Sequence, residues 1–321
     1  MSTWNPAPSP GAALGIQDLP SAWREISPTR GLRDLALVWA GIAAVAAACG
    51  AQGGVFVHAL GFVLIGALQN HLSSLLHHAI HANLHPSRGV NLWLARLALA
   101  APMAQIFSVL RWEHLHHHAH LGAADDPERF YYDLDRHGRR QPGRFRRWVA
   151  GLFAGWLVIP ILRRALRGSR DETAAPAPPR DRARRREARL DLLLIPPAQL
   201  LLFVLFFALH GSPFAWLGLW ALPAATLGGG LTALRATLDH ADADLPPKLL
   251  LSYRSNPLEL FFVAPFHFNY HYEHHRFMTV PYYHAPKLRE MLLARGDFAD
   301  ALLLPSYLGR VQELARRLGT R

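Results

Sequence analysis

The sequence predicts an all-α integral membrane protein, with two transmembrane helical hairpins and a cytoplasmic helical cap that holds a histidine-ligated dimetal site. Three observations lead to this prediction. Two tracts, residues 35–76 and 192–234, contain no Asp, Glu, Lys or Arg. All 34 Lys and Arg residues therefore lie outside these tracts. Thirteen of the 19 histidines fall in three short windows that follow or precede the tracts.

Each charge-free tract is long enough for a pair of membrane spans. A spanning helix needs about 20 mostly apolar residues, and each tract has roughly twice that number. Glycine interrupts the first tract at residues 50–54, and glycine and proline interrupt the second at residues 210–213. We therefore expect four core spans arranged as two hairpins.

The distribution of basic residues predicts the orientation in the membrane. A hairpin returns the chain to its starting side, so the three charged segments share one face, which the positive-inside rule makes cytoplasmic. Orientation and anionic headgroups explain the net charge of +11 better than nucleic acid does. We expect a bacterial inner membrane, with the active site and both termini in the cytoplasm.

The whole chain is expected to form one domain. Its predicted parts are a cytoplasmic arm (1–34), hairpin 1 (35–76), a cap segment with an arginine-rich linker (77–191), hairpin 2 (192–234) and a second cap segment (235–321). The helix that ends hairpin 1 is expected to continue toward His85. Two shorter apolar stretches, 92–110 and 148–162, span the membrane, re-enter it or lie in its interface. Cys49 lies in an apolar tract, which excludes a cysteine metal site, and no cleaved signal peptide is expected.

The histidine windows have the spacing of metal ligands. Spacings of three and four residues place side chains on one face of a helix, so each window predicts a clamp of imidazoles. The clamps are His77 and His81; His114, His117 and His118; and His271, His274 and His275. A ninth candidate, His240, directly follows hairpin 2. Imidazole suits iron, zinc, copper and nickel, but this number of ligands exceeds one tetrahedral zinc and suffices for two octahedral ions.

The remaining histidines receive other interpretations. Single histidines near helix ends are expected to form hydrogen bonds: His58, His71, His137, His210 and His284. Three more lie off the favoured helix faces and are expected to support the ligands or lie on the surface: His78, His116 and His120. The roles of His85 and His267 stay open.

Three segments carry a resemblance to a known family. HHAIHANL, HLHHHAHLGAADDPE and APFHFNYHYEHHRFMTVPYYHAPKL resemble, in order and spacing, the three histidine boxes of the membrane fatty acid desaturase and hydroxylase superfamily. RATLDH resembles the stretch that supplies the isolated ligand of this family. The resemblance covers roughly residues 71–288. It implies a mushroom-like helical fold with a cytosolic cap over transmembrane hairpins.

The resemblance also implies a site and its cofactors. The ligands of two iron ions (Fe²⁺/Fe³⁺) would be His77, His81, His114, His117, His118, His240, His271, His274 and His275. O2 would be the co-substrate, and no catalytic residue beyond the ligands is expected. Two departures are His78, where the family usually has an acid, and Ala236, where stearoyl-CoA desaturases have Asn. A cytochrome b5 motif is absent, so a separate ferredoxin-like or rubredoxin-like electron donor is expected.

The expected reaction is O2-dependent attack on an alkyl chain in the bilayer. Acids that follow or precede the ligands are expected to orient the imidazoles, namely Glu113, Asp126, Asp239 and Glu273. The resemblance favours a desaturase of an acyl chain in a fatty acid or lipid. The alternative is a membrane hydroxylase or ketolase of an alkyl, lipid or carotenoid substrate. A more remote alternative is a divalent metal transporter or sensor, although the tracts contain no carboxylate.

Overall fold

The computed structural model describes residues 14–132, 144–155, 179–240, 250–297 and 303–317, and these residues are mostly helical. Two short 3-10 turns begin the described chain, Ile16–Asp18 and Ser21–Trp23. The first six helices are α1 (Arg30–Gln52), α2 (Val55–Ile80), α3 (Arg88–Leu94), α4 (Phe107–His120), α5 (Arg129–Tyr132) and α6 (Arg144–Phe153). A π turn at Ala95–Ala100 continues α3.

The second half contains two long helices followed by short elements. The long helices are α7 (Pro179–His210) and α8 (Trp216–His240), and α8 includes π turns at Trp216–Ala221 and Ala224–Gly228. The short helices are α9 (Pro257–Phe262), α10 (His271–Arg276), α11 (Ala285–Ala294), α12 (Tyr307–Arg317) and a 3-10 turn at Tyr282–His284. Strands β1 (Ser252–Tyr253) and β2 (Leu303–Leu304) pair in parallel.

Four of the described helices are long and apolar enough to cross a membrane: α1, α2, residues Arg182–His210 of α7, and α8. They cover both charge-free tracts, so the prediction of four apolar helices is confirmed. Gly53 and Gly54 separate α1 from α2 with φ angles of 64° and 83°, which glycine adopts without a steric penalty. The arrangement of these helices as hairpins across a bilayer, with a cap on one side, stays a prediction.

The breaks between the paired helices lie together at one end of the bundle. A Cβ atom at Gly50 would lie 2.6 Å from the Cα atom of His210, so this close approach requires glycine. The Nε2 atoms of His58 and His210 are 2.8 Å apart at the same end. The opposite ends of α2 and α8 carry His77 and His240. The bundle therefore brings ligand-bearing helix ends to one place.

Apolar side chains fill the space between the long helices. Fully buried members of this core are Ile42, Ile65, Leu72, Phe206 and Trp220. Two buried amides of α2 form hydrogen bonds between the helices, which offsets part of the cost of burying them. The amide of Gln69 donates to the carbonyl of Trp220 at 2.8 Å, and that of Asn70 donates to the carbonyl of Phe262 at 2.9 Å. These bonds tie α2 to both α8 and α9.

The predicted arginine-rich linker, whose centre is residues 174–186, is helical in its last part. Residues 179–191 form the first turns of α7. Arginine, alanine and glutamate are good helix formers, and they continue the apolar helix beyond its charge-free tract. The preceding residues 156–178, which include residues 174–178 of the predicted linker, lie outside the described residues.

The structure also gives the secondary structure of residues 92–110, of part of residues 148–162 and of the end of α2. Residues 92–110 do not form one helix, because residues 101–106 interrupt the regular structure before α4. The described part of the second stretch, residues 148–155, completes α6 and the turn after it, and residues 156–162 lie outside the described residues. Helix α2 ends at Ile80, short of His85, because Ala82 is left-handed with φ 59°.

A buried ion pair fastens α7 to the segment before α4. The Nε atom of Arg96 lies 2.8 Å from Oδ1 of Asp191, and both side chains are at most 5% exposed. The other oxygen of Asp191 accepts a hydrogen bond from the backbone N–H of Ser108 at 2.7 Å. Ser108 begins the helix that carries the second histidine window. This pair therefore helps to set the position of α4.

We expect Asp191→Ala to lower the free energy of unfolding by about 3 kcal/mol, because it leaves the Arg96 guanidinium buried without its carboxylate. Thermal unfolding of the detergent-purified protein measures the effect. The matched control is Glu187→Ala, since Glu187 is 56% exposed and 3.6 Å from the same guanidinium. Equal losses of stability in the two variants would contradict the proposed importance of the buried pair.

Candidate metal centre

Four helices and their ends bring all nine predicted ligands together. The last turn and C-cap of α2 supply His77 and His81, and the last residue of α8 supplies His240. The other six come from α4 and α10, at the HxxHH spacings: His114, His117, His118, His271, His274 and His275. Each window lies in a helix or at its C-cap. That these side chains bind metal stays a prediction. The isolated position of His240 is brought to the same place by the end of a spanning helix.

Five of the imidazoles converge through their Nε2 atoms, and we call them cluster A: His77, His81, His114, His118 and His274. The Nε2 atom of His77 is 2.9 Å from that of His274, which is 3.3 Å from that of His118. The Nε2 atom of His114 is 2.9 Å from that of His118 and 3.0 Å from that of His81. Nitrogen–nitrogen distances of this size are typical of ligands that bind one metal ion.

The other four imidazoles form a second group beside the first, and we call them cluster B: His117, His240, His271 and His275. Ring nitrogens of His117, His240 and His275 lie within 4.8 Å of one another. The Nε2 atom of His271 is 3.0 Å from that of His240. The ring of His275 stacks on that of His118 at 4.0 Å, so the two clusters are in direct contact.

Two carboxylates determine which ring nitrogen of box two carries the proton. The Nδ1 atom of His114 is 2.7 Å from Oε1 of Glu128, and that of His117 is 3.0 Å from both oxygens of Asp126. Because an ionised carboxylate only accepts hydrogen bonds, each histidine must donate from Nδ1. In the neutral imidazole the Nε2 atom then carries only a lone pair. One such lone pair points into each cluster.

These lone pairs are placed where a cation could accept them. The Nε2 atom of His117 is buried and has no hydrogen-bond partner among the residues that the structure describes. The Nε2 atom of His114 faces two further imidazole nitrogens within 3.0 Å. Burying unpaired acceptors against one another is unfavourable, whereas a divalent metal ion accepts several lone pairs at once. The residues present therefore fit one metal ion in each cluster.

Burial keeps most of these ligands neutral, as coordination requires. Desolvation, reinforced by repulsion from neighbouring imidazoles, lowers the pKa of His118 to about 2 and holds the pKa of other ligands well below the ordinary value: His81, His271, His274 and His275. His117 differs. Burial alone would lower its pKa, but the hydrogen bond and charge of Asp126, together with Glu128, raise it. Neutral imidazole is the form that binds a metal.

The two carboxylates are themselves held in place. The loop after α4 donates to Asp126 through the backbone N–H groups of Gly122 and Glu128 at 3.1 and 2.9 Å, and the hydroxyl of Tyr132 donates to it as well. Burial alone would raise the pKa of Glu128, but the charge and hydrogen bond of His114 outweigh it and hold that pKa well below its usual range. Both groups are therefore carboxylates at neutral pH.

The four acids predicted to orient the imidazoles have different environments. Asp126 contacts His117 as expected, and Asp239 lies 3.7 Å from Nδ1 of His271. Glu273 instead accepts hydrogen bonds from Arg289 and Ser252. It therefore holds α10 in place through these residues rather than by orienting a predicted ligand. Glu113 is half-buried beside His114, and its predicted role is not tested.

Glu128 is the residue that sequence reasoning missed. It lies 14 positions after His114, and no helical periodicity connects the two residues. The signal available in the sequence was the acidic run that follows box two, from which Asp126 alone was chosen. The loop turns back on α4 at Gly122, whose φ of 76° is left-handed. Only this reversal brings Glu128 to the imidazole.

Histidines outside the clusters mostly form the expected hydrogen bonds. His58 and His210 bond to each other, and His71 Nε2 bonds to the carbonyl of Phe261 at 2.8 Å. His284 packs on the ring of Tyr283, and His137 lies outside the described residues.

Five further histidines also lie outside both clusters. They are the three predicted to lie off the favoured helix faces (His78, His116 and His120) and the two without a predicted role (His85 and His267). His78 stacks on Tyr282 and bonds to the carbonyl of Phe266 at 3.2 Å. His85 accepts a hydrogen bond from the backbone N–H of Ser87, and His267 is exposed. His116 and His120 lie on the exposed side of α4.

Comparison with known protein families identifies the family of this chain. Residues 54–304 match the family model described as fatty acid desaturase, which is most of the chain. The chain belongs to the fatty acid desaturase family. No curated protein sequence matches it. Membership makes the protein an oxidoreductase of the desaturase or hydroxylase type, and its four apolar helices fit the membrane location and lipid substrates of such a family.

We expect Glu128→Ala to weaken iron binding by about 10- to 100-fold, because His114 loses the acceptor that fixes its tautomer and ring orientation. Metal analysis after dialysis against a graded series of chelator concentrations measures the loss. Glu290→Ala, at an exposed position of α11, is the control and should retain iron like the unmodified desaturase-family protein. Full iron retention in Glu128→Ala would exclude the orienting role.

Proposed function

We propose that this protein is an O2-dependent diiron oxidoreductase of the membrane that desaturates an acyl chain of a fatty acid or lipid. The observation that carries the proposal is the convergence of nine imidazoles into two adjoining clusters, each receiving a lone pair that a carboxylate forces inward. Membership of the fatty acid desaturase family supports the reaction class. The ligands of the proposal are the nine histidines of clusters A and B.

The donor set favours iron over zinc. Each cluster has at least four imidazoles, and the whole set exceeds what tetrahedral zinc needs. Imidazole ligands suit iron, and iron with an open coordination position supplies the activation of O2 and the removal of hydrogen from an unactivated carbon. No thiolate takes part, because the chain's single cysteine, Cys49, is buried in α1.

The chain's own residues hold the ligands and keep water away. His117 and Glu273 are completely buried, and Phe268 covers His77 at a ring distance of 4.4 Å. Arg289 fixes box three by bonding to Glu273 and to the backbone carbonyl of Asn269 at 2.9 Å. A rigid and dry site limits side reactions during a step that needs a strong oxidant.

The position of the centre at the ends of α2 and α8 supports a long apolar substrate. A hydrocarbon chain that leaves the bilayer along these helices reaches the imidazoles directly. Burial of each methylene group contributes about 0.8 kcal/mol, so a long chain gains enough to fix which carbon meets the metal. Small polar molecules would gain little from such a site. Insertion of oxygen, as in a hydroxylase or ketolase, differs from desaturation only in the fate of the second hydrogen.

We propose that electrons come from a separate ferredoxin-like or rubredoxin-like protein. The proposed orientation places the clusters and the arginine-rich start of α7 in the cytoplasm of a bacterium, where such donors are found. The basic residues of α7 would then lie at the cytoplasmic surface of the inner membrane, as the positive-inside rule requires.

We expect the purified protein to contain about two irons per chain, and His274→Ala to abolish turnover while the protein stays in the membrane fraction. The reason is that His274 belongs to cluster A, where its Nε2 atom lies 2.9 Å from that of His77 and 3.3 Å from that of His118. Turnover with a supplied electron donor is measured in detergent. His267→Asn, an exposed left-handed position before box three, is the matched control and should stay active. Full activity of His274→Ala would remove box three from the chemistry.

Mass spectrometry of lipids from expressing cells should show products two mass units lighter than their substrates. Desaturation removes two hydrogens, whereas hydroxylation adds one oxygen. Cells that express His274→Ala provide the background. A gain of sixteen mass units with unchanged unsaturation would replace desaturation by hydroxylation and leave the diiron assignment intact.

Cysteine labelling should show which end of the helix bundle faces the outside of the cell. Phe56 is 88% exposed beside the break between α1 and α2, and Arg186 is exposed near the start of α7. In intact cells, an impermeant maleimide should label Phe56→Cys and leave Arg186→Cys unlabelled until the membrane is opened. The native Cys49 is 1% exposed and adds little background. Labelling of Arg186→Cys from outside would reverse the proposed topology.

A further inference from the structure

A third group of potential ligands lies on the outer side of α4, away from clusters A and B. It consists of His116, His120 and Asp125. The Nε2 atom of His116 is 3.1 Å from Oδ2 of Asp125, and the Nδ1 atom of His120 is 3.2 Å from the same oxygen. None of the three belongs to the nine ligands. Their side chains are 24%, 44% and 59% exposed, so solvent and ions reach them.

The imidazole rings of His116 and His120 stack on each other in this structure. His116 and His120 are four residues apart on one face of α4, and their rings stack at 4.1 Å with an interplanar angle of 9°. Trp112 stacks on the other face of His116 at 5.2 Å, and the guanidinium of Arg184 lies 4.0 Å above Trp112. The stack with Trp112 restricts the rotamers of His116. Because the lone pair of an imidazole nitrogen lies in the plane of its ring, His120 turns out of the stack when both rings bind one ion.

The distances in the group match those between ligands of a single metal ion. Ligand atoms at 2.0–2.1 Å from a tetrahedral ion are about 3.3 Å apart, close to the two nitrogen–oxygen distances here. The hydrogen bond from His116 lowers the pKa of Asp125, so this group is a carboxylate at neutral pH. Two imidazoles and one carboxylate form a donor set that binds first-row divalent ions and leaves positions open for water.

We propose that His116, His120 and Asp125 form a third, peripheral site for a divalent first-row transition-metal ion such as Zn²⁺, Co²⁺ or Fe²⁺. Water completes the coordination, because only three protein ligands are present. Calcium and magnesium are excluded by the two imidazoles, since these ions take oxygen ligands. The site joins the last turn of α4 to the loop that follows it. Asp126, which bonds to His117 of cluster B, is the next residue of that loop.

Equilibrium dialysis of the iron-loaded, full-length protein against Co²⁺ tests the proposal. The protein is purified with an affinity tag that contains no histidine, and bound cobalt and iron are measured together. We expect one equivalent of Co²⁺ in addition to the iron, displaced by Zn²⁺. Asp125→Asn and the double variant His116→Asn, His120→Asn should lose this equivalent and keep their iron. His85→Asn, a histidine that bonds to Ser87, is the matched control and should bind cobalt normally.

Several outcomes would overturn the proposal. One is that the unmodified protein takes up no cobalt beyond its iron, or takes it up only by losing iron. Another is that Asp125→Asn and the double variant bind as much cobalt as His85→Asn. Misfolding does not obscure the result, because retained iron reports an intact centre in each variant. Asp125 is the most exposed of the three residues, so its replacement disturbs the fold least.

Discussion

The structure depends on imidazole nitrogens that are buried where a cation can accept their lone pairs. Asp126 and Glu128 each accept a hydrogen bond from Nδ1 of a box-two histidine, so in the neutral imidazole Nε2 of His114 or His117 carries only a lone pair. An unpaired buried acceptor is costly, and several facing one another are more so. The proposed pair of metal ions would remove this cost. Metal binding would then be thermodynamically linked to folding through the loop after α4.

The apolar helices determine where this centre can form. Gly50 allows α1 to approach the end of α7, and Gln69 ties α2 to α8 across the bundle. These contacts align the bundle so that α2 and α8 end beside each other with His77 and His240. The short helices α4 and α10 then complete the two clusters. A site built on the ends of packed helices is held more precisely than one built on loops alone.

Much of this arrangement is predictable from sequence because it depends on periodicity and charge. The helical spacing of the three windows predicts eight of the histidines that converge, and the exit of the chain from the second apolar tract predicts the ninth, His240. The apolar tracts predict four long helices, and each is present. The arginines and the nearby proline-rich stretch predict a linker before α7, whereas residues 179–191 are helical and Asp191 pairs with Arg96.

The features that escaped prediction depend on contacts distant in sequence. The division of the nine imidazoles into five and four depends on contacts between residues far apart in the chain, which no spacing reports. Glu128 meets His114 only because the chain reverses at Gly122, and Glu273 prefers Arg289 although it adjoins two ligands. His116 and His120 were read as off-face residues, which is correct for the buried centre. Their common partner Asp125 becomes apparent only when the loop is folded.

Anomalous diffraction at the iron edge from crystals of the iron-loaded protein tests the central claim most directly. The account predicts two strong iron peaks per chain, one among the five histidines of cluster A and one among the four of cluster B. The Nε2 atoms of His114 and His117 should face different peaks. A single iron shared by both clusters, or iron peaks away from these imidazoles, would contradict the account.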